Sequence, residues 1–317
     1  MDILLYDGVF VINCDLILYC LVRVQLHPGY QNCAAPTRLT SPHKSHTVLA
    51  MRRFGLTLIE LVLVIGIIAV LFALLVPSLQ RSRLQAKTAV CMSNIRQLDT
   101  VFSAYVTDSG NFPYGFDNTP EGPPTGGYAG YIQYDRMGWW WFNYLGELYE
   151  RSLGSKTVLQ CPSKQIQQPK LKDDILCGNY GVNLSICKMS TGNADPNEIG
   201  KPRELSEIPN PARTLLIVDS GYAVISWRHA ADFFTATLGN THIEDTAYIP
   251  GLSINRQRQL LAGQQIDAFY GRHPQMTVNV GFADGHVARI KAEDLLVKKN
   301  SAGHYENRYP LWTPDSK

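Results

Sequence analysis

Two hydrophobic patterns follow one another along the chain and together predict one long helix. From Leu61 to Val76, 16 consecutive residues carry no polar side chain. Counting back to Leu56 gives 21 residues interrupted only by Thr57 and Glu60. As a helix this stretch covers roughly 30 Å, the thickness of the hydrocarbon core of a bilayer. Beyond Pro77 the apolar positions thin to a stripe, Leu84, Thr88, Cys91, Ile95, Leu98, Phe102 and Tyr105, at alternating spacings of four and three. That is one face of an amphipathic helix, with Arg83, Lys87, Arg96 and Gln97 on the other sides. A coiled-coil seam would read the same way, but a run of only about three heptads favours packing against the chain's own globular part. Gly110, after Asp108-Ser109, reads as the stop. The predicted helix, Leu56 to about Thr107, is roughly 75 Å long.

The pattern after the helix is broken into short pieces. Residues 110–138 are rich in Gly, Pro and Tyr and read as a loop. An aromatic cluster follows, Trp139-Trp140-Trp141-Phe142 through Tyr149, expected on a short helix. Tryptophans can stack on sugars, but core packing is the stronger expectation. Strand candidates are Thr157–Gln160 ahead of Cys161-Pro162, Thr214–Val218 ending at Asp219, and a closing hairpin. In the hairpin, Thr277–Ala283 alternates, Asp284-Gly285 turns, and His286–Ile290 returns; Asp-Gly between alternating runs is a strong hairpin signal. The expected fold class is α+β, a long N-terminal helix packed on an antiparallel β-sheet.

Composition is that of a folded chain of 317 residues, 45% apolar and 18% charged. Net charge is +2, and from Leu56 onward acidic and basic residues balance at 24 each. Such a balance offers no field for holding polyphosphate, so no nucleic-acid partner is expected. Of seven cysteines, Cys14, Cys20 and Cys33 precede the apolar run and Cys91, Cys161, Cys177 and Cys187 follow it. In an oxidising compartment the last four could form two disulfides, by any of three connectivities. No CxxC pair occurs, which argues against a zinc ribbon or a thioredoxin-like site.

Glu60 gives the apolar segment its chemistry. An ionised carboxylate in hydrocarbon costs several kcal/mol, so it must be neutralised, paired or functional. It lies five residues after Gly55, which Arg52-Arg53 precede. Met51-Arg-Arg-Phe-Gly-Leu-Thr-Leu-Ile-Glu60 resembles the signal of type IV prepilins and type II secretion pseudopilins. The resemblance implies cleavage between Gly55 and Leu56 by a prepilin peptidase, followed by N-methylation. Leu56 departs from the commoner phenylalanine. Thr57 and Glu60 then occupy the second and fifth mature positions, and Pro77 the twenty-second, where many pilins carry a kinking proline. Glu60 would pair with the terminal amine of a neighbouring subunit and set the register of a filament.

These expectations divide the chain. Residues 51–55 would be a basic leader and 56–107 the long helix, with 56–79 crossing the membrane. Residues 108–317 would form an extracytoplasmic β-rich domain. Residues 1–50 have an apolar run broken by Asp7, Asp15 and Arg23 and no clear periodicity. They read as a spurious upstream extension, with Met51 as the natural start. Basic residues flank both sides of the span, Arg52 and Arg53 before it and Arg81, Arg83 and Lys87 after it, so charge does not orient it. The resemblance does: inner membrane, single pass, with the large domain periplasmic or at the cell surface. Its expected partners are other pilin-like subunits and the peptidase/methyltransferase.

The hairpin with His273, residues 273–290, also resembles the H-X9-DG domain at the C-terminal end of many pilin-like proteins. Ten residues rather than nine separate His273 from Asp284-Gly285. His273, Asp284, His286 and Asp219 could converge, although turn-shaping and packing explain them as well. No G-x-S-x-G, HExxH, P-loop or dinucleotide fingerprint is present, and no enzyme activity is expected. No resident cofactor is expected either. Asn193, Asp195, Asn197 and Glu204 match calcium-loop spacing, but Glu198 stands where the sharp turn demands glycine, and Pro196 and Pro202 intrude. The function expected is a structural filament subunit. The alternative is a surface-anchored binding protein, for glycans among other ligands, that uses the same export route without polymerising.

Overall fold

A computed structural model describes residues 57–119, 138–146, 156–191, 196–231, 247–258, 260–306 and 308–314. Helix α1, Leu58–Ser109, is a single element of 52 residues that runs on through Pro77. At 1.5 Å per residue it is about 78 Å long. Every residue from 57 to 87 is exposed; burial begins at Thr88. The apolar half of α1 is thus long and greasy enough to cross a membrane, and none of its most apolar window is covered by protein. The second half buries Thr88, Cys91, Asn94, Ile95, Leu98, Asp99, Val101 and Phe102. The stripe therefore packs on the chain's own domain, as its spacing predicts. The helix stops where expected: Gly110 adopts φ +84°, a conformation that ends a helix cheaply only for glycine.

Among the described residues seven short strands follow: β1 Phe116–Asp117, β2 Trp139–Trp140, β3 Tyr180–Asn183, β4 Leu215–Asp219, β5 Val224–Ile225, β6 Thr277–Phe282 and β7 Val287–Lys291. β1 and β2 pair with each other, and the rest form one sheet in the order β5-β3-β4-β6-β7. Neighbours are antiparallel except β3 and β5, which run parallel. One long apolar helix with a mostly antiparallel sheet makes the fold α+β. β4 and β6 are buried along their whole length, while β7 is half-buried to exposed and forms one edge, β5 the other. The hairpin is as predicted, with Gly285 at φ +90° in its turn and Phe282 N–H donating to His286 O at 3.0 Å.

Three segments differ from expectation. Lys156–Leu159 is a turn of 3₁₀ helix rather than a strand. Its adjacent apolar pair Val158-Leu159 is buried together, as one face of a turn allows and an alternating strand does not. The aromatic cluster begins as strand β2 before a single helical turn, Trp141–Tyr144. Asp117 and Phe116, in the segment read as loop, pair with Trp139 and Trp140. The tryptophans serve the core: Trp140 packs 4.6 Å from Phe116 and 5.7 Å from Tyr222, and Trp141 5.5 Å from Phe102 of α1.

Candidate functional site

Where α1 first meets the domain, residues from four parts of the chain converge. α1 supplies Thr88 and, one turn on, Cys91. The segment before the sheet supplies Cys161, the end of β4 supplies Asp219, and the approach to β6 supplies His273. Local turns set the last of these. After His273 the chain passes Pro274 and two non-glycine residues in the left-handed region, Gln275 (φ +62°) and Met276 (φ +51°), before entering β6. A pair in this sparsely occupied region holds His273 inward, where its side chain is fully buried.

The hydrogen bonds define the charge on the ring. Thr88 Oγ1 donates its only proton to Leu84 O at 2.9 Å, so it accepts from His273 Nδ1 at 3.1 Å. His273 Nε2 lies 3.0 Å from Asp219 Oδ2. With an N–H at both nitrogens, the ring is an imidazolium. The Asn279 amide lies 3.1 Å from Nε2, and its oxygen, rather than its nitrogen, suits that donor. Burial opposes the charge, but the Asp219 carboxylate outweighs it, helped by Cys161, and the pKa of His273 rises to about 9. Asp219 Oδ2 also accepts from Asn279 N–H at 2.7 Å, while Oδ1 has no hydrogen-bond partner.

Beside the ring, Cys91 Sγ and Cys161 Sγ are 2.7 Å apart. These two sulfurs and a ring nitrogen of His273 lie within 4.8 Å of one another, the spacing of a possible metal cluster. Cys161 is held from two sides. Its N–H donates to Asn179 Oδ1 at 3.1 Å, and Asn94 of α1 donates to the preceding Gln160 O at 3.1 Å. Asn94 also reaches the Tyr180 hydroxyl at 3.2 Å, tying the helix to β3.

The residue before His273 makes a second knot. Arg272 is buried and grips Asp267 through Nε (2.8 Å to Oδ1) and its terminal nitrogen (2.7 Å to Oδ2). It also donates to Asn179 O at 2.8 Å and Ser220 O at 2.7 Å. Tyr248 and the backbone N–H of Gln165 complete the Asp267 carboxylate at 2.8 and 2.9 Å. Arg272 and His273, adjacent in sequence, therefore fasten the strands to each other and to α1. Further along α1, Asp99 is buried with neither carboxylate oxygen hydrogen-bonded. Burial, reinforced by Asp284, raises its pKa well above the usual value and so favours the neutral acid.

No family model, no curated protein and no solved structure matches this chain.

The other residues singled out from the sequence fall as follows. Gly55 and Leu56 lie outside the described residues, as do residues 1–50. Thr57, just before α1, and Glu60 and Pro77 on its apolar half are exposed. The four polar groups that could converge form two pairs. His273 meets Asp219, whereas Asp284 Oδ1 lies 2.6 Å from His286 Nδ1 in the β6–β7 turn. The length of β6, about 20 Å for six residues, separates them. The Asp284–His286 pair is half exposed; burial pushes the pKa of Asp284 up, but the hydrogen bonds from the His286 ring and backbone and the charge of that ring together lower it. Of the calcium-loop residues, Asn193 and Asp195 lie outside the described residues, and Glu204 Oε1 accepts from Lys201 Nζ at 3.2 Å. Cys177 and Cys187 are both buried, and burial pushes the Cys187 thiol up. Asn94, Asp99, Asp267 and Arg272 were not anticipated. The one available signal was position: Asn94 and Asp99 flank the apolar stripe at Ile95 and Leu98.

Proposed function

We propose that the chain is a pilin-like subunit of a type IV pilus or type II secretion filament. It would be cleaved between Gly55 and Leu56 by a prepilin peptidase, N-methylated, and anchored by the first half of α1 until it assembles. The observation that supports this reading is the division of α1. Its residues 58–87 are wholly exposed, with only Glu60 polar as far as Val76, its packed face is sunk into the domain from Thr88 onward, and the acidic residue in its first turn is Glu60. A helix so divided suits a subunit whose apolar half passes from lipid into a bundle of like helices. In that bundle Glu60 would face the terminal amine of a neighbour, each charge relieving the other's desolvation. The domain then sits outside the membrane, carried by a helix it grips from Thr88 onward.

The anchored glycan binder would need an aromatic platform, and of the candidate tryptophans Trp140 and Trp141 are buried in the core while Trp139 is half-buried. The filament reading is tested by terminal sequencing of the native, membrane-extracted protein. It expects an N-methylated Leu56 as the first residue. A mature chain beginning elsewhere overturns it.

A further inference from the structure

We propose that Cys91 and Cys161 form a disulfide that locks α1 to the globular domain at the point where the helix enters it. The inference rests on the extracytoplasmic reading above only for its oxidising compartment; the pairing itself rests on geometry. The two sulfurs are 2.7 Å apart, well inside the roughly 3.5–4.0 Å at which unbonded heavy atoms settle. Both residues are buried, and each is held by contacts other than the one between the two sulfurs. Cys91 sits on the packed face of α1, and Cys161 is held by Asn179 on one side and, through Gln160, by Asn94 on the other. A cleft lined by Val90, Asn94, Gln160, Cys161 and Pro162 lies beside Cys161. The bond would join residues 70 positions apart, a long loop to close.

The rival use of these sulfurs is a metal ion shared with His273. Two thiolates on one tetrahedral zinc, each about 2.3 Å from the metal, stand roughly 3.7 Å apart, a full ångström wider than these. His273 is also spent: Nδ1 donates to Thr88 and Nε2 to Asp219, leaving no lone pair for a cation. A doubly protonated ring beside the pair is no obstacle to a neutral disulfide.

In the step itself, the two thiols give up two protons and two electrons as the Sγ–Sγ bond forms. A disulfide oxidant, such as an oxidising dithiol protein of that compartment, accepts them and is reduced to two thiols. The bond would carry load along α1 directly into the sheet, through Cys161 and Asn179 to the start of β3.

The test uses the full chain, extracted in detergent from native membranes under acid quench. Free thiols are alkylated before and after reduction, and the digest is mapped by mass spectrometry. The expected result is a Cys91 peptide linked to a Cys161 peptide, two hydrogens lighter than the pair and separated by reductant. Full alkylation of both cysteines before reduction, a partner other than each other, or stoichiometric zinc released together with the thiols overturns the proposal. Two further measurements separate it from the filament reading. Protease treatment of intact cells reports the side on which the domain lies. Oxidised glutathione applied to the reduced, detergent-solubilised protein tests the pairing whatever that side is. Formation of the same link supports it, and failure to form it overturns it.

Discussion

His273 donates from Nδ1 to the Thr88 hydroxyl at 3.1 Å, joining the approach to β6 to the first buried residue of α1. The bond needs a proton on Nδ1, because Thr88 has already given its own to Leu84 O and can only accept; with Nε2 also donating to Asp219, the ring carries both protons. One contact between the helix and the domain is thereby tied to the protonation of an imidazole.

Stability should fall as pH rises through the alkaline range. The pKa of His273 is raised from 6.5 to about 9 in the folded protein, so its contribution is complete below 6.5 and lost as pH passes 9. The shift corresponds to about 3 kcal/mol. Urea unfolding of the detergent-solubilised chain between pH 6 and 10 should show the decline, and His273→Gln should flatten it. Thr88→Val, which orphans Nδ1–H without changing shape, should cost about 1–3 kcal/mol at pH 6. An unchanged midpoint for Thr88→Val would contradict the charged-ring assignment.

Asp99 makes a prediction of the opposite kind, a substitution that stabilises. Its pKa is raised in the folded state by burial and by Asp284, so the unfolded chain releases a proton that the folded chain keeps. Stability from this group is lost as pH climbs above the ordinary carboxylate value near 4. Asp99→Asn removes that penalty and should raise stability at pH 7 by about 1–3 kcal/mol, the gain shrinking toward pH 4. A loss at pH 7 with the pH profile unchanged would mean that Asp99 is ionised and paired. Gly281 gives an independent check. A methyl there would run into the Asp99 carboxylate and the Ile217 side chain, so Gly281→Ala should destabilise.

The contrast between these groups and the rest of α1 explains what could be read from the chain. Leu84 to Tyr105 was legible because helical spacing repeats over several turns, and the β6–β7 hairpin because Asp284-Gly285 is a local turn signal. β3 and β5 were not legible. They are four and two residues long and buried throughout, so they show no alternation to detect. The polar residues at the helix–domain contact escaped for a related reason. Asn94 and Asp99 look like solvent-facing positions beside an apolar stripe, and the partners of Asn94 and Thr88 lie 66 to 185 residues away. Periodicity reports what a helix hides from water, not which polar groups meet it there.

Arg272 should be among the least replaceable residues of the domain. Its guanidinium binds Asp267 and two backbone carbonyls at once, which an ammonium cannot match in direction or number. Arg272→Lys is expected to cost about 3–5 kcal/mol, because Asp267 and the carbonyls lose geometry while remaining buried. Arg272→Met with Asp267→Leu should cost less than Arg272→Met alone, since no lone buried charge remains. Equal losses for the single and double variants, by chemical denaturation, would deny the coupling.

Glu60 carries the last prediction, and it separates assembly from anchoring. Glu60→Val makes the span more apolar, so membrane insertion should improve and any loss of function cannot be charged to poor insertion. On the filament reading, cleavage after Gly55 would depend on the leader and should persist. On the same reading, what the variant lacks is the carboxylate that would compensate a neighbour's buried amine, a charge that otherwise costs several kcal/mol in hydrocarbon. The expected outcome is a processed protein that stays in the membrane fraction and is missing from filaments sheared off the cell surface. Glu60→Gln should behave the same way, because an amide keeps the size but not the charge. If the valine variant appears in sheared filaments at the level of the unsubstituted chain, the carboxylate does not guide assembly, and the helix is an anchor only.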